Sequence, residues 1–170
     1  MSIIIRDAQL EDLPSILKIV NFEIEHTTSI YDYNKRTLQN QTIWFEKKKL
    51  EEIPVIIAEE KGSVIGFGTF GIFRPWDGYQ FSVEHSIYLN KNSRSRGTGA
   101  KIMNKLIHLA KEQGFHIMIA GIDANNTKSI KFHHNFGFKE VGRFNQIGYK
   151  FDKWLDLVFM QLFLKEYQLI

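Results

Sequence analysis

Residues 94–99 read Arg94-Ser-Arg-Gly-Thr-Gly99 and are the most informative stretch of the chain. They follow a predicted strand at 80–89 and precede a predicted helix at 99–113, in which apolar residues recur at helical spacing. The glycines allow a tight turn with accessible N–H groups, and the helix adds the positive end of its dipole. Arginines add charge-assisted hydrogen bonds to phosphate oxygens. The segment therefore predicts a pyrophosphate-binding turn, although such a turn also occurs as a plain helix entry.

The charge around this turn supports an anion site. The chain has a net charge of +3, but the segment from Leu89 to Lys111 contains six Lys and Arg residues and no acid, so the remaining chain is negative. A solvated helix face is the alternative explanation of such a segment. The turn is neither a P-loop, because Gly-Lys-Ser/Thr is missing, nor a dinucleotide fingerprint, because the third glycine is missing.

Composition excludes several classes of protein. The 170 residues suit one domain, predicted to span 1–170, and 44% apolar residues argue against disorder. Without cysteine the chain has no thiol nucleophile, thiolate metal site or disulfide. The histidines lack ligand-like spacing, so we expect no metal. Apolar runs are far shorter than the ~20 residues of a membrane helix, and the N-terminus lacks a secretory signal. We therefore expect a cytoplasmic protein that binds neither membrane nor nucleic acid.

Hydrophobic periodicity predicts one mixed α/β domain. The predicted strands are 3–5, 54–58, 64–73, 80–89, 115–122, 138–144 and 154–164, and the predicted helices are 12–25, 37–49, 99–113 and 127–136. The strand at 115–122 is nearly all apolar and is expected to be buried on both faces. Glycines at 66, 68 and 71 indicate bulges or close backbone approach.

Strand alternation separates two candidate catalytic residues, Glu84 and His85. Glu84 shares its face with polar residues, and His85 shares its face with apolar ones. The alternation favours Glu84 as the residue that could act as a base. A structural Glu–Arg pair is the alternative role, and a bulge in the strand would restore His85 as a candidate.

Several motifs in order along the chain resemble the GNAT N-acetyltransferases, and in particular the phosphinothricin and methionine sulfoximine/sulfone acetyltransferases. The matching segments are Arg94-x-x-Gly97-x-Gly99, Val83–Leu89, Ala120–Asn126, Ser129–Phe138 and Gly148–Asp156. The resemblance covers nearly the whole chain. It implies the GNAT (acyl-CoA N-acyltransferase) fold, a mixed central sheet flanked by helices, and family members are typically homodimers.

The resemblance also implies acetyl transfer from acetyl-CoA to the α-amine of a small amino acid or analogue, by direct attack in a ternary complex. Acetyl-CoA is expected to contact Ile87, Tyr88, Leu89, Arg94, Ser95, Arg96, Gly97, Thr98, Gly99, Ala100, Asn126 and Ser129. Asn126 is alternatively a simple helix N-cap. His133 stands where many relatives carry a tyrosine that protonates the departing thiolate, and a packed helix histidine is its alternative role.

The substrate site is expected to be formed by three segments that match the family. Its residues are Thr28, Ile30, Arg74, Pro75, Trp76, Glu84, His85 and Ser86. The Arg74 guanidinium is suited to bind a carboxylate through two hydrogen bonds. The alternative is that Arg74 is an ordinary surface residue with no role in binding. Trp76 and Tyr79 would line the part of the site that holds the substrate's side chain. Another amine, such as a polyamine, aminoglycoside or peptide N-terminus, is the competing substrate class, and a non-catalytic anion-binding module is the competing function.

Overall fold

The computed structural model describes residues 2–165. Its strands are β1 (Ile4–Asp7), β2 (Val55–Glu60), β3 (Ser63–Ile72), β4 (Ser82–Leu89), β5 (Ile117–Asp123), β6 (Lys139–Lys150) and β7 (Lys153–Phe163). Its helices are α1 (Leu13–His26), α2 (Leu38–Leu50), α3 (Thr98–Glu112) and α4 (Thr127–His134). The strands form one sheet in the order β1-β2-β3-β4-β5-β7-β6. The predicted mixed α/β architecture is confirmed.

The sheet divides between its two parallel strands. All other neighbouring strands are antiparallel, whereas β4 and β5 run parallel and pair only over Ser82–Glu84. Beyond Glu84, no strand within residues 2–165 pairs with this edge of β4, while its other edge stays paired with β3 as far as Leu89. The backbone groups along 85–89 on the free edge are therefore available to a ligand.

The helices cover opposite faces of the sheet. Helices α1 and α2 pack on one face, where Leu13, Ile16, Ile24, Phe45 and Phe67 belong to one buried cluster. Helix α3 packs on the other face, where Ile102, Met103 and Leu106 join residues of β4, β5 and β7. None of the helices within residues 2–165 is long and apolar enough to cross a membrane.

Local sequence explains where the helices begin. Thr37 caps α2 at the start of the predicted helix, because its Oγ1 accepts a hydrogen bond from the Asn40 N–H at 3.1 Å. Pro14 lies in the first turn of α1, where a missing N–H is tolerated. Gly97 precedes α3 with φ of 81°, in the left-handed region that favours glycine.

The glycines of β3 allow close approach on the α3 face, as predicted. A Cβ atom at Gly68 would fall against Ile102 and 3.0 Å from Leu106 Cδ1. The register between β2 and β3 also shifts beside Gly66, which is the predicted bulge.

Two predictions about strands are wrong. The strand predicted at 138–144 continues to Lys150, because β6 is an exposed edge strand whose sequence carries little hydrophobic pattern. Strand β5 is buried along its length on the α3/α4 face, whereas on the other face Asp123 is its one buried residue. Ile117 and Ile119 are half-buried on the other face and Gly121 is exposed, because α1 and α2 lie over the other half of the sheet.

Candidate active site

A cavity of about 250 Å³ lies on the α1/α2 face, beside the point where β4 and β5 separate. Strand β4 contributes Glu84, Ser86 and Tyr88 to its wall, and α2 contributes Gln41, Trp44 and Lys48. The loop between α1 and α2 contributes Ile30 and Arg36. The wall therefore combines one carboxylate, two cations, an amide and aromatic surface, which suits a small polar ligand.

Glu84 is the carboxylate of this cavity and lies at the last residue of β4 that pairs with β5. Its Oε1 lies against Gly121, where a Cβ atom would be only 2.9 Å away. Burial raises the pKa of Glu84, while the charge of Arg74 and the Gly121 amide partly oppose that rise. A carboxylate whose pKa is moved towards neutrality is suited to accept a proton at physiological pH.

The alternation along β4 is intact. Its register with β3 runs without a break from Gly66 opposite Leu89 to Ile72 opposite Val83. Glu84, Ser86 and Tyr88 consequently share one face, and burial raises the pKa of Tyr88 there. His85 lies on the other face, among the residues packed beneath α3 and α4.

His85 is paired with His133 of α4. The two Nε2 atoms are 3.1 Å apart, and both side chains are more than nine-tenths buried. The His133 Nδ1–H donates to the Ser129 carbonyl at 2.7 Å, so the neutral His133 ring presents Nε2 as an acceptor. His85 therefore donates its Nε2–H and leaves Nδ1 without a partner among residues 2–165.

Burial keeps this pair uncharged. It lowers the pKa of His85 to about 3, with a further contribution from His133, and it lowers the pKa of His133 as well. Both nitrogens of a neutral His133 are engaged, so the ring has no spare N–H. This geometry favours a role in linking α4 to β4, while proton donation by His133 stays a prediction.

The glycine turn precedes α3, as predicted, and its arginines already have partners. Arg94 forms an ion pair with Glu23, a buried residue of α1, and Arg96 binds Glu60 through two hydrogen bonds of 2.7 and 3.0 Å. Ser95 has a left-handed φ of 61°. The side chains would have to exchange these partners to bind phosphate, whereas the backbone at the start of α3 needs no such exchange.

The remaining predicted cofactor residues lie on both sides of the division in the sheet. Thr98, Gly99 and Ala100 form the first turn of α3, and Ile87 to Leu89 form the end of β4. Asn126 caps α4, because its Oδ1 accepts from the Ser129 N–H at 3.1 Å. The alternative role as an N-cap is therefore confirmed, and contact with a cofactor stays a prediction.

The predicted substrate residues are only partly brought together. Ile30, Glu84 and Ser86 line the cavity. Arg74 and Pro75 line an adjoining groove that shares Trp44 and Lys48 with it. Thr28, Trp76, Tyr79 and His85 line neither space. Trp76 and Tyr79 instead contact each other with ring centroids 6.2 Å apart.

The end of β6 fixes the loop that follows α1. The Lys150 ammonium donates to the carbonyls of Thr27 and Ile30 at 2.8 and 2.5 Å. The Tyr33 hydroxyl donates to the Tyr149 carbonyl at 2.5 Å. This loop therefore receives its position over the cavity from a strand at the far end of the chain.

Sequence reasoning missed most of the cavity wall, including the charged and amide side chains of Arg36, Gln41 and Lys48. Lys48 donates to the Phe70 carbonyl at 2.5 Å, and burial lowers its pKa. Gln41 is fully buried. A signal existed for Gln41 and Lys48, which stand four residues before and three residues after the buried Phe45 and therefore on the same face of the helix.

The mixed sheet is divided at two parallel strands, and a glycine turn and a helix N-terminus lie at this division with a carboxylate beside them. This arrangement is that of an acyl-CoA-dependent acyltransferase. Residues 5–159 match the family model described as an acetyltransferase (GNAT) domain, and the chain belongs to this family. It is an N-acetyltransferase that uses acetyl-CoA as its co-substrate, and the predicted fold is confirmed.

Relatives support this assignment along nearly the whole chain. A methionine sulfoximine/methionine sulfone acetyltransferase of Pseudomonas aeruginosa is 40% identical over 163 residues, covering 95% of both chains. The structure of an N-acetyltransferase from Staphylococcus aureus is 46% identical with a TM-score of 0.96, covering 97% of this chain and 100% of that one. A phosphinothricin acetyltransferase of Sinorhizobium meliloti, solved with acetyl-CoA, is 32% identical with a TM-score of 0.92, covering 95% and 88%.

The residues present fit acetyl-CoA. Beyond Glu84 the free edge of β4 pairs with no other strand of residues 2–165, and the start of α3 offers N–H groups and a favourable dipole beside a positively charged segment. Acetyl-CoA supplies an acetyl group activated as a thioester. This chain would hold it with the predicted residues of 87–89 and 94–100 and bring an amine to it on the Glu84 side.

Proposed function

We propose that the enzyme acetylates the α-amine of a small amino-acid analogue such as methionine sulfoximine, methionine sulfone or phosphinothricin. The carrying observation is the position of Glu84, half-buried in a small polar cavity at the division between β4 and β5. The activities of the Pseudomonas and Sinorhizobium relatives supply the substrate class. The cations Arg36 and Lys48 in the cavity argue against polyamine and aminoglycoside substrates.

The proposed chemistry begins with proton transfer to Glu84, directly or through a water molecule. An α-ammonium group has a reference pKa of about 8 and cannot attack until it loses a proton. The neutral nitrogen then forms a bond to the acetyl carbon, the carbon–sulfur bond breaks with its electron pair going to sulfur, and the thiolate takes up the proton released as the amide forms. Holding both reactants in one cleft supplies much of the rate.

Arg74 is proposed to hold the substrate's carboxylate. It lines the groove that adjoins the cavity, and its charge acts on Glu84. The guanidinium also lies 5.1 Å from the centroid of the Phe73 ring, which orients it without satisfying its hydrogen-bond donors. Loss of this contact in Arg74→Gln should raise KM for the amino acid more than it lowers kcat.

The test is thiol release from acetyl-CoA over a panel of amines. The panel contains the three analogues, common amino acids, spermidine and an aminoglycoside, with Glu84→Gln measured beside the wild type. Turnover confined to amino-acid analogues and lost in Glu84→Gln supports the proposal. Turnover of spermidine or the aminoglycoside alone overturns it, as does undiminished turnover in Glu84→Gln.

His133 is tested separately as the predicted proton donor to the thiolate. Proton donation predicts that His133→Gln abolishes the alkaline limb of the kcat profile. A linking role predicts an unchanged pH profile, together with lower stability.

A homodimer formed through the β6–β7 hairpin is part of the proposal. The hairpin exposes Val141, Phe144, Ile147, Phe151 and Trp154, each by about half or more. Such apolar surface on an edge strand is a typical protein–protein contact. Light scattering should show a dimer that Phe144→Glu converts to a monomer, and a wild-type monomer would contradict this.

The cytoplasmic location is proposed as well and is tested by fractionation of cells producing the full chain.

A further inference from the structure

The side chain of Gln41 is the most unusual polar group in the cavity wall. The residue has no exposed surface, and neither its Oε1 nor its Nε2 has a hydrogen-bond partner among residues 2–165. It nevertheless lines the cavity that contains Glu84. A carboxamide in the wall of this cavity holds one acceptor and one donor group that no other residue of 2–165 satisfies.

An unpaired buried amide is costly to the folded protein. Each buried polar group without a partner costs about 1–3 kcal/mol, whereas an apolar side chain of the same shape would cost little. Folding alone therefore does not account for a glutamine at this position. A ligand that supplies the missing hydrogen-bond partners does account for a glutamine here. The carboxamide is already desolvated in the folded protein, so ligand binding does not have to meet that cost.

We propose that Gln41 recognises the oxidised centre of the substrate's side chain and selects a sulfoximine. A sulfoximine carries one oxygen acceptor and one N–H donor on the same sulfur, which complements the Nε2–H and Oε1 of a carboxamide. A sulfone carries two acceptors and can satisfy only the donor, and a thioether offers neither. This inference rests on the function proposed above and adds the residue that selects among its substrates.

The position of Gln41 agrees with this role. Glu84 belongs to the sheet wall, whereas Gln41 belongs to α2, which covers that face. An amino acid with its amine at Glu84 would direct its side chain towards the helix. Trp44 and Phe67 line the same cavity, with ring centroids 6.4 Å apart, and offer apolar surface to the methylene groups of such a side chain.

The test is Gln41→Met, which keeps the volume and removes both polar groups. We expect kcat/KM for methionine sulfoximine to fall about 10- to 100-fold, since each hydrogen bond is worth roughly a factor of ten at most. The value for methionine sulfone should fall about tenfold or less, and that for methionine should stay within about threefold. The melting temperature should not fall. Gln39→Met, an exposed position on the same helix, is the matched control and should leave all three values unchanged.

A second measurement uses the wild type alone, so the test does not depend on the variant folding. Methylation of the sulfoximine nitrogen removes the N–H donor and should lower kcat/KM about tenfold, towards the value for the sulfone. If Gln41→Met lowers all three substrates equally, or if the wild type accepts the methylated analogue undiminished, Gln41 does not select the substrate although the proposed function stands. A wild type that acetylates no amino-acid analogue overturns both proposals.

Discussion

The two faces of β4 differ in chemistry although their residues alternate along one strand. Glu84 faces a cavity, where burial raises its pKa and where the Gln41 amide has no hydrogen-bond partner within residues 2–165. His85, the next residue, faces a packed interior and pairs with His133. The open face can change its protonation state and accept a ligand, whereas the closed face holds its histidines neutral. The comparison shows that a single sheet separates reactive from supporting groups simply by strand alternation.

The largest expected effect lies on the open face. In Glu84→Gln we expect kcat to fall about 10²- to 10⁴-fold, the usual contribution of a general base. In the wild type, kcat/KM should fall as the pH drops through the raised pKa of Glu84, because only the carboxylate accepts a proton, and the variant should lack this limb. Steady-state rates at several pH values check it. Glu46→Gln, an exposed change on α2, is the control. An acid limb that persists in Glu84→Gln would assign the base elsewhere.

Substitutions at two glycines of β3 test how closely each face of the sheet is packed. Alanine at Gly68 would place a methyl against Ile102 and Leu106 of α3, and we expect a loss of about 1–3 kcal/mol in the free energy of unfolding. Alanine at Gly71, on the cavity face, would meet only the Lys48 ammonium at 2.9 Å, at the far end of a long side chain whose torsions can adjust. Its cost should be below about 1 kcal/mol. Urea denaturation of both variants measures the difference, and equal losses would contradict the contrast.

The closed face predicts acid sensitivity. The pKa of His85 is about 3 in the folded chain and ordinarily about 6.5, so below pH 6.5 the unfolded chain binds a proton that the folded chain does not. Stability is therefore lost as the pH falls from about 6.5, by up to about 1.4 kcal/mol per unit from this residue. His85→Gln should reduce the slope of unfolding free energy against pH between 5 and 6.5. An unchanged slope would show that His85 is charged in the folded protein.

The smallest expected effect lies in the glycine turn, between the two faces. Ser95 has a left-handed φ of 61°, which costs a non-glycine residue about 1–2 kcal/mol. Glycine removes this strain but loses more entropy on folding, so Ser95→Gly should stabilise by less than about 1 kcal/mol. Thermal unfolding measures it, and KM for acetyl-CoA should not change if the main chain makes the contacts. A raised KM would assign a direct role to the hydroxyl.

Local features of this fold were predictable from the sequence. Alternation separated Glu84 from His85, and side-chain capping marked the start of α2 at Thr37. These features depend on residues within a few positions of one another. The extent of β6 was not predictable, because an exposed edge strand buries little and leaves no apolar alternation.

The candidate site was predictable only where its residues lie close together in the sequence. Glu84, Ser86 and the glycine turn lie on one continuous segment. Gln41 enters the cavity from a helix more than forty residues earlier, and Arg94 meets Glu23 across 71 positions. No short-range pattern reports such pairs, because they exist only once helices and sheet are packed together.

The bond between Lys150 and the loop after α1 has a consequence for the order of folding. Its carbonyl partners, Thr27 and Ile30, precede it by 123 and 120 positions. At about 5–20 residues per second, the ribosome makes Lys150 on the order of ten seconds after this loop. The loop after α1 therefore cannot take its final position over the cavity until β6 has been synthesised. A nascent chain that already contains Glu84 still lacks a closed site.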